Sequence, residues 1–228
     1  MRFYIGANFK SFGWVLLFYL SSVRKQFSYA IDKFRSASPC LKLQKITLTV
    51  VHHLKKTQIH ITKKLEKLVK KLITTNQETD CGILGKWNAT VFYVSRKKCW
   101  LITNALTKYN VILTDIKSSD LSEIEQIFKD ALFGQLIFDG IITDFENLNS
   151  IVGGLAFLPT DNDRSTTGFQ NQRLHELDWW KSEFENLKNM PIKDLTNRMN
   201  KGPIRIKKSN GMSPYTNSIE ELKKLLTQ

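Results

Sequence analysis

The densest run of side chains able to do chemistry is Asp161-Asn162-Asp163-Arg164-Ser165, inside the stretch TDNDRSTTG. Two carboxylates, a cation and a hydroxyl suit three uses: calcium ligation, hydrolysis, or a turn. Asp161, Asp163 and Ser165 match positions 1, 3 and 5 of a calcium loop. Position 6 requires Gly and holds Thr166; position 12 requires Glu and holds Gln172, so the stretch fails as an EF-hand. Hydrolysis needs a base from elsewhere, and His60 is the candidate. With Asp161, the residues His60, Asp163, Arg164 and Ser165 would then form a hydrolase- or nuclease-like catalytic site. Ser165 lacks the Gly-x-Ser-x-Gly frame of a nucleophile elbow. The commoner use of such residues is a turn whose Asp and Ser side chains bond nearby amides, with Arg164 tying the loop to a carboxylate.

Other chemistries are poorly served. No cysteine pair has zinc spacing, and His52, His53, His60 and His175 form no ligand pattern, so no metal and no cofactor is expected. Cys99 follows three cations, which would lower the pKa of an exposed thiol. Its strand setting points instead to burial, where a cysteine is a small inert hydrophobe.

The second constellation lies in WNATVFYVSRKKCWLITN, Trp87 to Asn104. It alternates like a strand, breaks at Arg96-Lys97-Lys98, and turns apolar again. Cations beside Tyr93 and Trp100 could meet phosphate while the rings stack on unpaired bases. A second basic feature precedes it. Lys63, Lys64 and Lys67, with Lys70 and Lys71, surround an apolar stripe of Leu65, Leu68, Val69, Leu72 and Ile73 at helical spacing. The plain alternative is a solvated lysine face and an aromatic pair in the core.

These side chains must be positioned by short elements. Gln58–Ile61 reads as a strand, and Thr62 caps a helix over Lys63–Ile73. Trp87–Val94 and Cys99–Asn104 form a hairpin. Lacking Asn-Gly, its turn is expected to be a four-residue loop of type I, which needs no positive φ. Val94 would then face Cys99 and Phe92 would face Leu101, with Tyr93 and Trp100 paired on the other side. Further on, Ile112–Ile116 suggests a strand. Asp120 and Glu123 suggest a capping box for a helix to about Gln135. Ala156–Gly168 reads as a turn-rich loop. A helix carries Leu174, Leu177, Trp180, Phe184 and Leu187, another ends near Lys201, and Ser218 with Glu221 opens the last. The class is α+β: a small antiparallel sheet around the hairpin at about 87–104, with several helices packed on it.

Charge is unevenly spread. Residues 1–108 hold 20 Lys/Arg against 4 Asp/Glu, and residues 109–228 hold 14 against 17. A strongly basic half points to an anionic partner such as nucleic acid or a membrane surface. Three scattered cysteines fit a reducing, cytoplasmic setting. The apolar run Gly13–Leu20 is too short for a membrane span, and no small-x-small cleavage site follows it. No Met falls between Met1 and Met190, and LKKTQIHITKKL from Leu54 reads like the opening of a cytosolic protein. The expected organisation is a basic, apolar extension over 1–53 and one domain over 54–228. The extension would be translated upstream sequence, an unstructured tail, or a surface helix around Phe12–Phe34.

Spaced features give a resemblance. Ile59-His60-Ile61-Thr62-Lys63-Lys64-Leu65, Trp87-Asn88-Ala89, Arg96-Lys97-Lys98-Cys99, Thr103-Asn104 with Thr107 and Tyr109, the order Lys117, Asp120, Leu121, and Arg164-Ser165-x-x-Gly168-x-x-Asn171 recur in order. Together they resemble an uncharacterised bacterial family, domain of unknown function 6933, over about residues 59–171. The chain departs from that pattern at Ser95 and Lys97, where an Arg-Arg pair is common, and in a helical addition over 172–228. The resemblance implies a bacterial, cytosolic α+β domain and brings no activity with it. From the residues themselves, the reading is a non-enzymatic module contacting nucleic acid through Lys63, Lys64, Lys67, Tyr93, Arg96, Lys97, Lys98 and Trp100. The alternatives are the hydrolase-like site and a protein-interaction domain anchored by Trp179-Trp180.

Overall fold

The computed structural model describes residues 56–74, 82–141, 144–208, 211–212 and 214–227. They belong to one compact unit, Val51–Gln228. The readings of residues 1–53, including the helix around Phe12–Phe34, lie outside the described residues, as do His52, His53, Cys40 and Cys81.

The chain forms strand β1 (Lys56–Ile61), a one-turn helix α1 (Lys63–Glu66), β2 (Trp87–Val94), β3 (Lys97–Asn104) and β4 (Asn110–Leu113). Then come α2 (Ile124–Phe138), α3 (Phe145–Val152), β5 (Gly154–Leu158), α4 (Arg164–Phe184) and α5 (Ile192–Lys201). Short ladders β6 (Pro203–Ile204) with β9 (Thr216–Asn217), and β7 (Lys207–Lys208) with β8 (Gly211–Met212), precede α6 (Ser218–Leu226). The α+β class and the central hairpin stand as expected. The main sheet is larger than expected and mixed rather than antiparallel. Its order is β4-β3-β2-β1-β5, with β1 parallel to both β2 and β5.

The hairpin is closed by two residues, not four. Val94 pairs with Lys97, Phe92 with Cys99 and Thr90 with Leu101. Ser95 and Arg96 therefore make the whole turn, both at positive φ (45° and 68°). That geometry matches the right-handed twist of the strands, which an ordinary type I turn would splay. It costs roughly 1–2 kcal/mol for each non-glycine residue. Eight cross-strand pairs and a bond from the Ser95 hydroxyl to the Glu185 carbonyl (2.7 Å) hold it in place.

A slip of two residues leaves every side chain on its expected face. One face carries Trp87, Ala89, Val91, Trp100 and Ile102 from the hairpin, with Ile59, Ile61, Val111, Leu113 and Phe157 beside them. It packs on Phe128, Leu132 and Leu136 of α2, Leu148 and Val152 of α3, and Ile219 and Leu222 of α6. Trp87 meets Phe128 edge-on at 5.5 Å, and Trp100 meets Phe157 at 6.4 Å. The other face carries Phe92, Val94, Cys99, Leu101 and Ile112. It is covered by Leu177 and Trp180 of α4 and by Leu195 and Met199 of α5. The hairpin is apolar on both faces because helices bury both. Cys99 is fully buried, and burial pushes its thiol pKa up, so its three cationic neighbours do not activate it.

The lysine-flanked helix is shorter than its stripe suggested. After α1 the chain turns, makes a 3-10 turn at Lys70–Leu72, and places Ile73 beside Phe157. Leu65 and Val69 reach the core, while Leu68 stays 39% exposed.

Candidate functional site

Two clusters inherit the polar residues singled out above. The first is at the hairpin end. The Thr62 amide donates to the Ala89 carbonyl (3.0 Å), so α1 begins beside the middle of β2. From Ala89 the strand runs on to Val94, roughly 16 Å at strand rise. Tyr93 sits on that overhang, 48% exposed, and pairs directly across the ladder with Lys98. Lys63, Lys64, Lys67 and Arg96 are exposed and Lys98 is half-buried. None of these five takes part in a salt bridge among the described residues. Lys97 differs, because its ammonium is bound to Asp115 at 2.6 Å. Trp100 must be withdrawn as a stacking surface. It is 1% exposed and lies against Phe157 in the core, because helices cover its face of the sheet at that level while Tyr93, nearer the turn, lies beyond them.

The second cluster lies where β5 leads into α4. The Asp161 carboxylate accepts from Lys86, from the Asn88 side chain (3.2 Å) and from the Asp163 amide (3.1 Å). Asp163 is the N-cap of α4. It accepts from the Ser165 and Thr166 amides (3.0 and 3.1 Å) and from the Thr166 hydroxyl (2.8 Å). Lys86 also approaches Asp163 at 3.7 Å, so one ammonium bridges both acids. Burial alone would raise the pKa of both carboxylates. Hydrogen bonds from Lys86 and the Asp163 amide to Asp161, and from Thr166 to Asp163, outweigh it and hold both below the usual range. The bond to Asp161 raises Lys86 in turn. His60 lies close enough to Asp161 to favour its charged form, and its Nδ1 is bonded to the Pro159 carbonyl (2.9 Å). Thus His60, Asp161 and Asp163 do gather here, but the acids are occupied in shaping the loop. Lys86 does the tying expected of Arg164, which is exposed.

Sequence reasoning passed over Lys86, Asn88 and Lys108. Lys108 donates to the Thr166 hydroxyl (2.7 Å), and burial lowers its pKa. It is held by the Thr-Asn-x-x-Thr segment. The Asn104 side chain accepts from the Leu106 and Thr107 amides and the Thr107 hydroxyl, and donates to the Leu84 carbonyl. This knot leaves Lys108 at φ 58°. The available signal was the Thr103-Asn104-x-x-Thr107 run directly before Lys108, whose side chains can bond the turn's own amides.

Among the described residues no group of three His, Cys, Asp or Glu could hold a metal, and no helix is long and apolar enough to cross a membrane. Fold and clusters together define an α+β domain with a basic sheet end and a cation-rich helix start. Residues 58–221 match the model of the family described as Domain of unknown function (DUF6933), and the chain belongs to that family. The match runs well past Asn171, so most of the helical addition is family sequence. No curated protein and no solved structure gives a significant match.

Proposed function

We propose that this domain is a non-enzymatic binding module that meets nucleic acid through the hairpin end of its sheet. The observation that carries the reading is that Arg96 and Lys98, neither of them in a salt bridge among the described residues, lie at the hairpin end beside half-exposed Tyr93, with the exposed Lys63, Lys64 and Lys67 on α1 as a separate basic element. Cations without carboxylate partners keep their full charge for phosphates, and an exposed ring gives an unpaired base a platform. Lys97 contributes less because Asp115 competes for it. A cytoplasmic setting belongs to the same reading.

The test is titration of the full chain with short single-stranded and duplex oligonucleotides at low and near-physiological salt. Replacing Arg96, Lys97 and Lys98 by Glu should weaken binding about 10- to 100-fold and flatten the dependence on salt. Unchanged binding in that variant sinks the proposal. The hydrolase- or nuclease-like alternative at His60, Asp163, Arg164 and Ser165 has less support, because Asp161 and Asp163 each accept three hydrogen bonds that shape the loop and the helix start. The protein-partner alternative rests on Trp179, 67% exposed, whereas Trp180 is buried at 9%.

A further inference from the structure

A cavity of about 310 Å³ opens between the first half of α4 and the segment after α5. Ser165, Gly168, Phe169 and Arg173 reach it from one face of α4, Lys108 from the β3–β4 connection, and Arg205 from the far wall. Three cations and a hydroxyl therefore face one space, and among the described residues no carboxylate lines it.

Arg173 is the independent sign that something belongs there. It is 5% exposed, yet its Nε has no hydrogen-bond partner. Its Nη1 donates to Glu176 at 2.6 Å, and the guanidinium lies 4.7 Å from the centre of the Phe169 ring. A guanidinium has five donors, and burying it with so few acceptors is costly. Two glycines leave it room. A Cβ at Gly202 would stand 3.0 Å from Arg173 Nη2, and one at Gly168 would meet nothing within 4 Å. Gly168 thus leaves the mouth open. Arg205 is steadied over the Tyr215 ring at 4.1 Å.

We propose that this cavity binds the phosphate group of a small phosphomonoester. A phosphomonoester carries a charge of about −1.5 to −2 at neutral pH and three acceptor oxygens. Three cations arriving from three segments match that better than the two oxygens of a carboxylate. The volume is at the small end for ligand sites, which fits a compact organic body beyond the phosphate.

The experiment measures the melting temperature of the full chain against inorganic phosphate, glycerol 3-phosphate and glycerol, with potassium chloride holding ionic strength constant and sulfate as a control. Glycerol 3-phosphate should raise the melting temperature with saturation, more than phosphate or sulfate does, and glycerol should not. Arg205→Glu, a change at an exposed residue, should weaken the effect roughly 10- to 100-fold, the scale of a lost charged hydrogen bond. Gly168→Glu, which has space but fills the mouth with a carboxylate, should abolish it. The hairpin variant with Glu at 96, 97 and 98 should keep it, which separates this site from the nucleic-acid reading. Equal shifts from phosphate and glycerol 3-phosphate would overturn the ester assignment. No saturable shift, or one that survives in both pocket variants, would overturn the site.

Discussion

The two basic regions differ in how their cations are held. Arg96 at the hairpin turn, and Lys63, Lys64 and Lys67 on α1, stand in solvent on long flexible stems. Beside α4, Lys86 is pinned between two aspartates, Lys108 is fixed by the Asn104 knot, and Arg173 is buried between Phe169 and Glu176. Loose cations favour broad, salt-sensitive association with an extended polyanion. Fixed cations impose a geometry and suit one small ligand. Positive charge therefore means different things according to how it is held.

The contrast can be broken first by loosening what is fixed. Asn200 and Asp139 lie at the centre of a polar network supporting the Lys108 connection. Asp139 accepts from Tyr109 (2.6 Å), Gln135 (2.8 Å), Asn197 (2.7 Å) and Asn200 (3.2 Å). Burial and the Asp139 charge push the Tyr109 hydroxyl pKa far upward, so it remains a donor at any ordinary pH. Asn200→Ala should cost on the order of 3 kcal/mol in chemical denaturation, because it orphans several buried groups at once. Arg96→Glu should cost nothing measurable in the same assay. Equal losses would show that the regions are held alike.

Acid sharpens the comparison. Asp161 and Asp163 both titrate below their ordinary value in the folded state. Their contribution to stability is complete above the unfolded value near pH 4 and is lost as pH falls through the depressed folded values. Lys86 is raised, so its share persists below 10.5 and is lost as pH climbs through its folded value. Asp161→Asn should flatten the acid limb of a stability-versus-pH curve below about pH 4. An unchanged limb would mean that the lysine bridge contributes nothing. The smallest expected effect is at Tyr93. Tyr93→Ala should weaken single-stranded binding by about 1 kcal/mol and leave duplex binding as it was. Equal loss on both would remove base stacking from the proposal.

The legible parts of the fold were those with a local period. Alternation along Trp87–Asn104 assigned both faces of the hairpin, and a two-residue slip cannot change them. Pro191 and Gly202 do bracket α5. The parallel pairing of β1 with β2 and β5 leaves no local mark, so the sheet seemed smaller and antiparallel. Helix α3 went unread, and the turn-rich loop expected over Ala156–Gly168 instead begins inside β5 and ends inside α4, leaving only residues 159–163 as loop. The first turns of α4 were hidden because their buried positions are Thr166, Gln170 and Arg173 rather than hydrophobes. That disguise has a cause. Thr166 bonds Lys108 and Asp163, Gln170 donates to the Asn88 and Leu101 carbonyls, and Arg173 lines the cavity, so each buried position here has a polar task. Of the candidate residues, the exposed lysines were recognisable by pattern. Trp100 was misplaced because its inward turn depends on how the whole sheet is covered.

Asn200 has a second consequence, for what this protein avoids. Its side-chain amide accepts from the Asn110 amide (2.8 Å) and donates to the Asn110 carbonyl (3.1 Å), as the peptide of a neighbouring strand would. Asn110 lies in β4, the outermost strand on that side, and open peptide groups on such a strand recruit other chains. One asparagine thus acts as a counterfeit strand. At the opposite margin, the Thr74 amide bonds the Phe157 carbonyl (2.9 Å) and partly closes β5 in the same manner. These two closures cover the margins of the sheet, where open peptide groups would otherwise invite edge-to-edge pairing.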